Sequence, residues 1–306
     1  MIVKLAEHYG LCFGVRDAIA QAEQLAGQGP LTILGELVHN PVVRERLAAR
    51  GVREGSLART ADASTAQVMI TAHGTSDTAR ASWRIAGFGV ADGTCPLVRH
   101  AHDQLKTLVQ LGCFPVVIGK RGHVEVLGLT GDFPEAHVIE SEGDIATLPP
   151  HDRYGVISQT TQPLEKVRAL VEALRRAHPR SEVLFRDTVC QPTKNRQNAI
   201  QKLIAECDTM VVVGGRNSNN TLQLVAAASI AGLTVHHIER ADELDADWFH
   251  EAQVVGITAG TSTLKETVAA VHARLEQIAR SQFTKINSNT QPSVAVFAKW
   301  KQPLLP

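Results

Sequence analysis

Several common sequence patterns are missing from this chain of 306 residues. Its 31 Lys and Arg residues balance 31 Asp and Glu residues, so net charge gives no support for general binding to nucleic acids or membranes. The longest apolar-rich run, at 224–235, is shorter than the roughly 20 residues that span a bilayer. The first residues lack a signal-peptide pattern. With 44% apolar residues, the chain is expected to be a cytoplasmic protein with an ample core.

Local cysteine pairs and a nucleotide-binding loop are also missing. The five cysteines are scattered without a Cys-x-x-Cys pair, which argues against a disulfide framework and a zinc ribbon. The chain has no Gly-x-x-x-x-Gly-Lys-Ser/Thr loop, so nucleotide hydrolysis is disfavoured. Each thiol alone is most simply a buried, inert side chain, unless its place in a larger pattern indicates otherwise.

Three of the cysteines do have such a place, because each begins one of three similar segments. Cys12, Cys95 and Cys190 are separated by 83 and 95 residues, which divides the chain nearly into thirds. A helical pattern follows each cysteine, and an apolar strand then leads into a glycine-containing turn. The helices are predicted at 15–25, 97–111 and 195–206, and the strands at 31–34, 115–118 and 210–213. A polar residue of each turn lies 27 or 28 residues after the cysteine, namely His39, His123 and Ser218.

A second strand and turn recur later in each third, with strands predicted at 68–71, 155–157 and 254–258. Strands that alternate with helices predict parallel sheets covered by helices. A period of about 90 residues is too long for solenoid units and fits small α/β modules. The sequence therefore predicts an α/β fold with three similar modules, at 13–94, 95–188 and 189–281. Residues 1–12 are expected to form an N-terminal strand with the first cysteine, and 282–306 a C-terminal tail without an assigned function.

The turns after the strands are rich in groups that bind phosphate. At the carboxyl ends of parallel strands, helix N-termini present unpaired N–H groups and a partial positive charge. Side chains in these turns add further donors: His39, His73, His123, Ser218, Asn219, Asn220 and Ser262. Each alone is more simply a helix cap or a surface residue. Together they predict an oxyanion or diphosphate site.

Glu125 differs from its surroundings, because it lies in a turn that is otherwise equipped to bind anions. Burial and a nearby diphosphate would both favour its protonated form, which suits proton donation. The alternative interpretation is an acid on a solvated loop.

Three cysteines from three modules would suit a metal centre. Zinc sites usually take two ligands from one short segment, whereas these cysteines are about a module apart. Iron–sulfur clusters commonly use four cysteines, so three would leave one iron open to a substrate. Zinc with a fourth ligand and an iron–sulfur cluster are both compatible with the residues. Cys113 and Cys207 lie where a helix gives way to a strand and are predicted to be packing residues.

The sequence resembles the family of 4-hydroxy-3-methylbut-2-enyl diphosphate reductase, the last enzyme of the non-mevalonate isoprenoid pathway. The resemblance extends from residue 10 to about residue 265 and covers nearly the whole chain. Its motifs are Gly-Leu-Cys-Phe-Gly-Val at 10–15, Val-His-Asn at 38–40, Ala-His-Gly at 72–74, Thr-Cys-Pro-Leu-Val at 94–98, Gly-His-x-Glu-Val at 122–126, Gln-Thr-Thr at 159–161, Asn-Arg-Gln at 195–197, Asn-Ser at 217–218 and Thr-Ala-Gly-x-Ser at 258–262.

This resemblance implies a trefoil-like arrangement of the modules around a central [4Fe–4S] cluster with one open iron. It implies that the cluster ligands are Cys12, Cys95 and Cys190. The diphosphate would be held by His39, His73, His123, Ser218, Asn219, Asn220 and Ser262. His123 would also help to deliver protons, Glu125 would donate the proton that lets the hydroxyl leave as water, and Thr160 would orient that hydroxyl. A ferredoxin or flavodoxin would supply two electrons one at a time, giving isopentenyl or dimethylallyl diphosphate.

The chain departs from the family pattern in three places. Val124 stands where proline is common, Asn219 replaces a serine, and residues 191–194 differ from the usual small polar run. These changes bear on substrate affinity more than on the reaction, and they are compatible with a divergent copy. Two other functions are left open: a cluster-bearing redox or iron sensor without reductase activity, and a zinc-binding phosphoprotein module.

Overall fold

The structure is a computed structural model, which describes residues 1–38 and 40–289, with side chains as far as residue 282. The strands are β1 Ile2–Leu5, β2 Leu31–Leu34, β3 Arg53–Gly55, β4 Gln67–Ile70, β5 Gly89–Asp92, β6 Phe114–Ile118, β7 His137–Ile139, β8 Arg153–Ser158, β9 Glu182–Phe185, β10 Thr209–Val213, β11 Thr234–Ile238 and β12 Val254–Ala259. The helices are α1 Phe13–Gln28, α2 Pro41–Ala48, α3 Asp77–Ile85, α4 Pro96–Gln110, α5 Val124–Thr130, α6 Glu142–Ile145, α7 Leu164–Ala177, α8 Gln191–Ile204, α9 Asn219–Ile230 and α10 Lys265–Asn289.

The strands form three four-stranded parallel sheets with the same order. The first sheet runs β3-β2-β4-β5, the second β7-β6-β8-β9 and the third β11-β10-β12-β1. The predicted α/β fold with three similar modules is therefore confirmed. In the third sheet, β1 takes the edge position that β5 and β9 take in the other two. Ile2 pairs with Val254 and Leu5 with Ile257, so the first strand of the chain completes the last sheet.

The inner strands are almost wholly apolar because helices cover both faces of each sheet. In the second sheet, Val116 and Ile118 pack into a core on one face, while Val117 between them packs into a core on the other. Cys113 is buried in this second core, and Cys207 packs partly buried against a core of the third module. Both cysteines therefore have the packing role that the sequence predicts.

Helix starts follow from local sequence. Proline occupies the first position of α2 and α4, where its missing N–H group costs no hydrogen bond. The helix α10 continues past residue 281, at which the third module was expected to end. Within the described residues, none of the helices combines the length and apolar character that a membrane crossing requires.

Candidate functional site

The three predicted cysteines occupy equivalent places in the fold. Cys12, Cys95 and Cys190 are the N-cap residues of α1, α4 and α8. The partial positive charge of a helix N-terminus therefore lies next to each thiol.

A backbone hydrogen bond fixes each cysteine against a turn of another module. Each cysteine N–H donates to a carbonyl oxygen that follows β12, β4 or β8. The pairs are Cys12 to Thr261 at 3.3 Å, Cys95 to Ala72 at 3.0 Å and Cys190 to Thr160 at 2.9 Å. Each cysteine thus docks on the module before it, and Cys12 docks on the last module. The three modules close into a ring in this way.

Two glycines let the first cysteine segment approach its neighbours. Gly14 lies so close to Cys95 that a Cβ atom there would overlap the Cys95 Sγ. Gly10 has a φ of +68°, and a Cβ on it would come within 3.1 Å of the Thr263 carbonyl oxygen. Only glycine satisfies both demands, since it has no Cβ and adopts positive φ freely.

The thiols share one electrostatic environment with Glu125. Burial raises the pKa of Cys95, and it raises the pKa of Cys190 to about 11. The negative charges of Cys12 and Glu125 push both pKa values higher, which places these groups near one another. The Cys190 thiol donates to the Thr193 hydroxyl at 3.1 Å, an interaction that lowers its pKa.

The arrangement of the thiols suits a group larger than a single metal ion. In a zinc site with Zn–S bonds of about 2.3 Å, thiolates lie within roughly 4 Å of one another. In the described part of the chain, no three His, Cys, Asp or Glu side chains are grouped so that they could hold one ion. Three helix-capping thiols from separate segments are ligands of the kind that an iron–sulfur cluster uses.

Most of the predicted anion-binding residues line one cavity. The residues around it are Val15, Val38, His73, His123, Glu125, Thr161, Ser218, Asn219, Asn220, Thr261 and Ser262. His39 lies outside the described residues, so its role stays a prediction. Thr160 does not line the cavity, whereas its neighbour Thr161, to which the sequence motifs assign no role, does.

Two histidines contribute donors to this cavity. The rings of His73 and His123 meet edge to face, with centroids 5.6 Å apart. His123 is the N-cap of α5, and its Nδ1 accepts the N–H of Glu125 at 3.2 Å. When the ring is neutral, its proton is therefore on Nε2, which makes Nε2 a hydrogen-bond donor.

The residue that corresponds to His123 and Ser218 in the first module is Asn40. These three residues are the N-caps of α5, α9 and α2, and each lies 28 residues after its cysteine, whereas His39 lies 27 after. The Asn40 side chain accepts the N–H of Val42 at 3.0 Å and donates to the Ser262 carbonyl at 2.9 Å. A constant spacing of 28 was the signal that could have identified Asn40 from the sequence.

Glu125 has the environment of a proton donor. Only 1% of its surface is exposed, and its Oε1 accepts the N–H of Thr160 at 2.6 Å. Burial raises the pKa of Glu125 to about 7, while hydrogen bonds from the N–H and hydroxyl of Thr160 limit the rise. The carboxyl group is therefore partly protonated near neutral pH. The alternative of a solvated loop acid is excluded by this burial.

Asn220 is the counterpart of Glu125 in the third module. Each is the second residue of its helix, and the Asn220 Oδ1 accepts the N–H of Thr261 at 3.0 Å, as Glu125 accepts that of Thr160. Val42 takes the same place in α2. The modules thus present an acid, an amide and an apolar side chain at one position, and only the second module can donate a proton there.

Polar side chains of the third module offer further contacts to an anion. The Ser262 Oγ is buried and has no hydrogen-bond partner among the described residues. Asn219 donates from Nδ2 to the Thr161 Oγ1 at 3.3 Å, which ties the third module to the second. A buried hydroxyl without a partner is costly, and a bound ligand would supply the missing hydrogen bond.

The departures from the family pattern lie at helix starts. Val124 is the first residue of α5 and is exposed, and proline would fit that position equally well. Residues 191–194 form the first turn of α8, where the Thr193 hydroxyl contacts Cys190. Neither change removes a side chain from the cavity.

The fold and site define a three-module α/β protein with three helix-capping thiols and a cavity that is lined by hydrogen-bonding side chains and a buried acid. The chain belongs to the LytB protein family, whose sequence model matches residues 3–276.

Relatives of this chain are similar over nearly their whole length, and they carry the name 4-hydroxy-3-methylbut-2-enyl diphosphate reductase. The Aquifex aeolicus protein is 35% identical over 286 residues, which are 91% of this chain and 97% of that protein. The Geotalea daltonii protein is 35% identical over 287 residues, 92% and 99% of the two chains. The Chromobacterium violaceum protein is 32% identical over 309 residues, 99% and 98% of the two chains.

Two solved structures share the fold. The E-1-hydroxy-2-methyl-but-2-enyl-4-diphosphate reductase of Plasmodium falciparum has a TM-score of 0.81 at 24% identity, covering 99% of this chain and 95% of that one. A second structure, of (E)-4-hydroxy-3-methyl-but-2-enyl diphosphate reductase, the terminal enzyme of the non-mevalonate pathway, has a TM-score of 0.66 at 34% identity. It covers 90% of this chain and 100% of that one.

Proposed function

We propose that this protein is an oxidoreductase that converts 4-hydroxy-3-methylbut-2-enyl diphosphate to isopentenyl diphosphate and dimethylallyl diphosphate. The observation that carries the proposal is Glu125, a buried acid in a cavity otherwise lined by hydrogen-bonding groups and apolar side chains. The names of its relatives, which match over more than nine-tenths of this chain, support the same reaction.

The proposed reaction consumes two electrons and two protons. The bond between carbon and the substrate hydroxyl breaks, the oxygen leaves as water, and the allylic carbon skeleton takes up the second proton. Cys12, Cys95 and Cys190 would hold a [4Fe–4S] cluster, which when bound supplies the electrons and a Lewis-acidic iron. The shared environment of these thiols supports this ligand set.

The diphosphate is proposed to bind on the side of the cavity formed by the third module. Ser218, Asn219 and Asn220 begin α9, so unpaired N–H groups and the positive end of a twelve-residue helix face that side. The unpartnered hydroxyl of Ser262 adds a donor. The other contacts assigned to the diphosphate are His39, His73 and His123.

Glu125 is proposed to protonate the leaving hydroxyl, and Thr160 to set the geometry of this step. The Thr160 N–H holds the Glu125 Oε1, which leaves the second carboxyl oxygen to carry the proton. A bound diphosphate would raise the proton affinity of Glu125 further, because it is a like charge. Thr160 itself does not line the cavity, so it would orient the substrate hydroxyl indirectly, by holding Glu125.

Three further features belong to the proposal. The electrons come from a ferredoxin or flavodoxin, the protein works in the cytoplasm, and the module boundaries lie at 12/13, 94/95, 188/189 and 281/282. The three sheets support the first three boundaries, because β1 is the one strand before residue 13 and, apart from β1, no sheet of the described residues contains strands from both sides of 94/95 or 188/189.

The test is anaerobic purification with iron and sulfide analysis, followed by an assay with the allylic alcohol diphosphate and a chemical reductant. We expect about four irons per chain and turnover to both products. Cys190→Ser should lose iron, while the matched control Cys207→Ser, in the same module, should keep it. A protein that holds the cluster but does not convert the diphosphate would be a sensor, and colourless protein with zinc and no iron would be a zinc module. Either result would refute the proposal.

A further inference from the structure

Arg196 is a buried cation that the proposed reaction does not use. It lies in α8, one turn beyond the first turn that follows Cys190, and only 5% of its surface is exposed. Its side chain donates to two backbone carbonyl oxygens, those of Pro192 at 2.8 Å and of Gly10. Its Nε has no hydrogen-bond partner among the described residues.

These hydrogen bonds join two cysteine segments. Pro192 is two residues after Cys190, and Gly10 is two residues before Cys12. The guanidinium group therefore joins the start of α8 to Gly10, which lies 186 residues before Arg196 in the sequence. Because the guanidinium is planar and rigid, this contact limits the relative movement of the two thiols.

The charge of Arg196 is not balanced by a carboxylate. Its hydrogen bonds go to carbonyl oxygens, and within the side chains that the structure describes it forms no ion pair. A guanidinium stays protonated even when buried, so it needs negative charge nearby. The charges that act on it are those of Cys12 and Cys190. Arg196 is therefore a buried cation placed to act on these two cysteines in the thiolate form that binds a metal.

The equivalent positions of the other modules carry no charge. Arg196 lies six residues after its cysteine, and the residues six after Cys12 and Cys95 are Ala18 and Ala101, both buried. A packing role common to the three helices is therefore met by alanine. The arginine of the third module therefore has a different role from packing, and that role is electrostatic.

We propose that Arg196 positions Cys12 and Cys190 and, through its charge, raises the reduction potential of the group that these thiolates hold. The inference rests on the proposed iron–sulfur cluster. A cluster gains one negative charge when it takes up one electron, and a fixed positive charge nearby stabilises the reduced form more than the oxidised form. Arg196 is thus a positioning residue that makes the first electron easier to accept.

The test is a redox titration of the holoenzyme, monitored by electron paramagnetic resonance, on the wild type and three variants. Arg196→Gln removes the charge and should shift the midpoint potential to a more negative value. Arg196→Lys keeps the charge and should stay near the wild type. The control is Arg16→Gln, an exposed arginine four residues after Cys12 that pairs with Asp17, and it should leave the potential unchanged.

The outcomes separate this inference from the proposed function. Equal potentials for Arg196→Gln and the wild type would overturn the role of the charge. If Arg196→Gln fails to retain iron, Arg196→Lys decides the question. A wild-type iron content and midpoint potential in Arg196→Lys would support the proposal, and loss of iron from Arg196→Lys as well would overturn it. Wild-type protein without iron and sulfide would instead refute the cluster itself.

Discussion

Replacement of Glu125 by glutamine tests the proposed chemistry most directly. Glutamine keeps an oxygen that can accept the Thr160 N–H, which now binds Oε1 at 2.6 Å, and it keeps the volume of a side chain that is 1% exposed. What it removes is the ionisable proton. Glu125→Gln should therefore fold and hold iron as the wild type does while it loses turnover.

The size of the loss follows from the role of the acid. Proton transfer by a positioned side chain contributes about 10²- to 10⁴-fold to a rate, so turnover should fall by at least two orders of magnitude. Because the pKa of Glu125 is about 7 and the protonated form is the active one, the wild-type kcat/KM should be level at low pH. Above pH 7 it should fall roughly tenfold per pH unit.

The same raised pKa predicts a pH-dependent difference in stability. The folded state raises the pKa of Glu125 from 4.5 to about 7, so it binds this proton more tightly than the unfolded chain does. Below pH 4.5 both states are protonated and burial carries no ionisation penalty. As the pH rises from 4.5 through 7, the wild type therefore loses about 3 kcal/mol relative to the non-titrating glutamine variant.

Two measurements check this reasoning. Steady-state kinetics of both proteins from pH 6 to 9 give the rate loss, and denaturant unfolding of the cluster-free proteins at pH 4.5 and 8.5 gives the stability difference. A glutamine variant with the wild-type rate would refute the role of Glu125 as proton donor. A stability difference that does not grow with pH would refute the buried, titrating carboxyl group.

Three other substitutions test the site. Gly14→Ala should lose iron, because its Cβ would overlap the Cys95 Sγ. The control Gly27→Ala lies in the same helix with open space around it, so it should keep iron and gain up to about 1 kcal/mol of unfolding free energy. Iron analysis and thermal unfolding check both results, and a Gly14→Ala protein with full iron would contradict the first. Ser262→Ala should raise the KM for the diphosphate substrate. Its unfolding free energy should stay within about 0.5 kcal/mol of the wild type, because the Ser262 Oγ has no partner among the described residues. An unchanged KM would contradict the role of Ser262 in binding. Asn40→Ala should lower the unfolding free energy by about 1 kcal/mol, because α2 loses its cap, and it should also raise KM. Equal denaturation midpoints for the variant and the wild type would contradict the capping role of Asn40.

The sequence was sufficient to predict the elements that repeat. Apolar strands bounded by glycine and followed by polar turns recur at constant spacing, and a parallel α/β module is the only common fold that buries such strands on both faces. The cysteines and Glu125 stood out because their residue types are unusual for the turns in which they lie. Their assignment to a cluster, however, came from the resemblance and is still a prediction.

Features that depend on contacts between distant segments were not visible in the sequence. Asn40 is one residue of the Val-His-Asn motif in the sequence, and only the fold shows its bond to the Ser262 carbonyl, which crosses 222 residues. Arg196 belongs to the Asn-Arg-Gln motif at 195–197, but only the fold shows that its side chain is buried. The sequence does not distinguish Thr161 from Thr160. Backbone geometry after a strand, and not residue type, determines which of two adjacent side chains faces a cavity.

The position of β1 in the third sheet governs when the site is built during synthesis. The first strand pairs with Val254–Ile257, roughly 250 residues later, and Cys12 docks on Thr261 only after that strand has left the ribosome. The cysteine that is made first is therefore the last of the three to gain its backbone hydrogen-bond partner. A chain that ended at residue 250 would contain all three cysteines and two complete sheets. It would still lack the Thr261 carbonyl that accepts the Cys12 N–H.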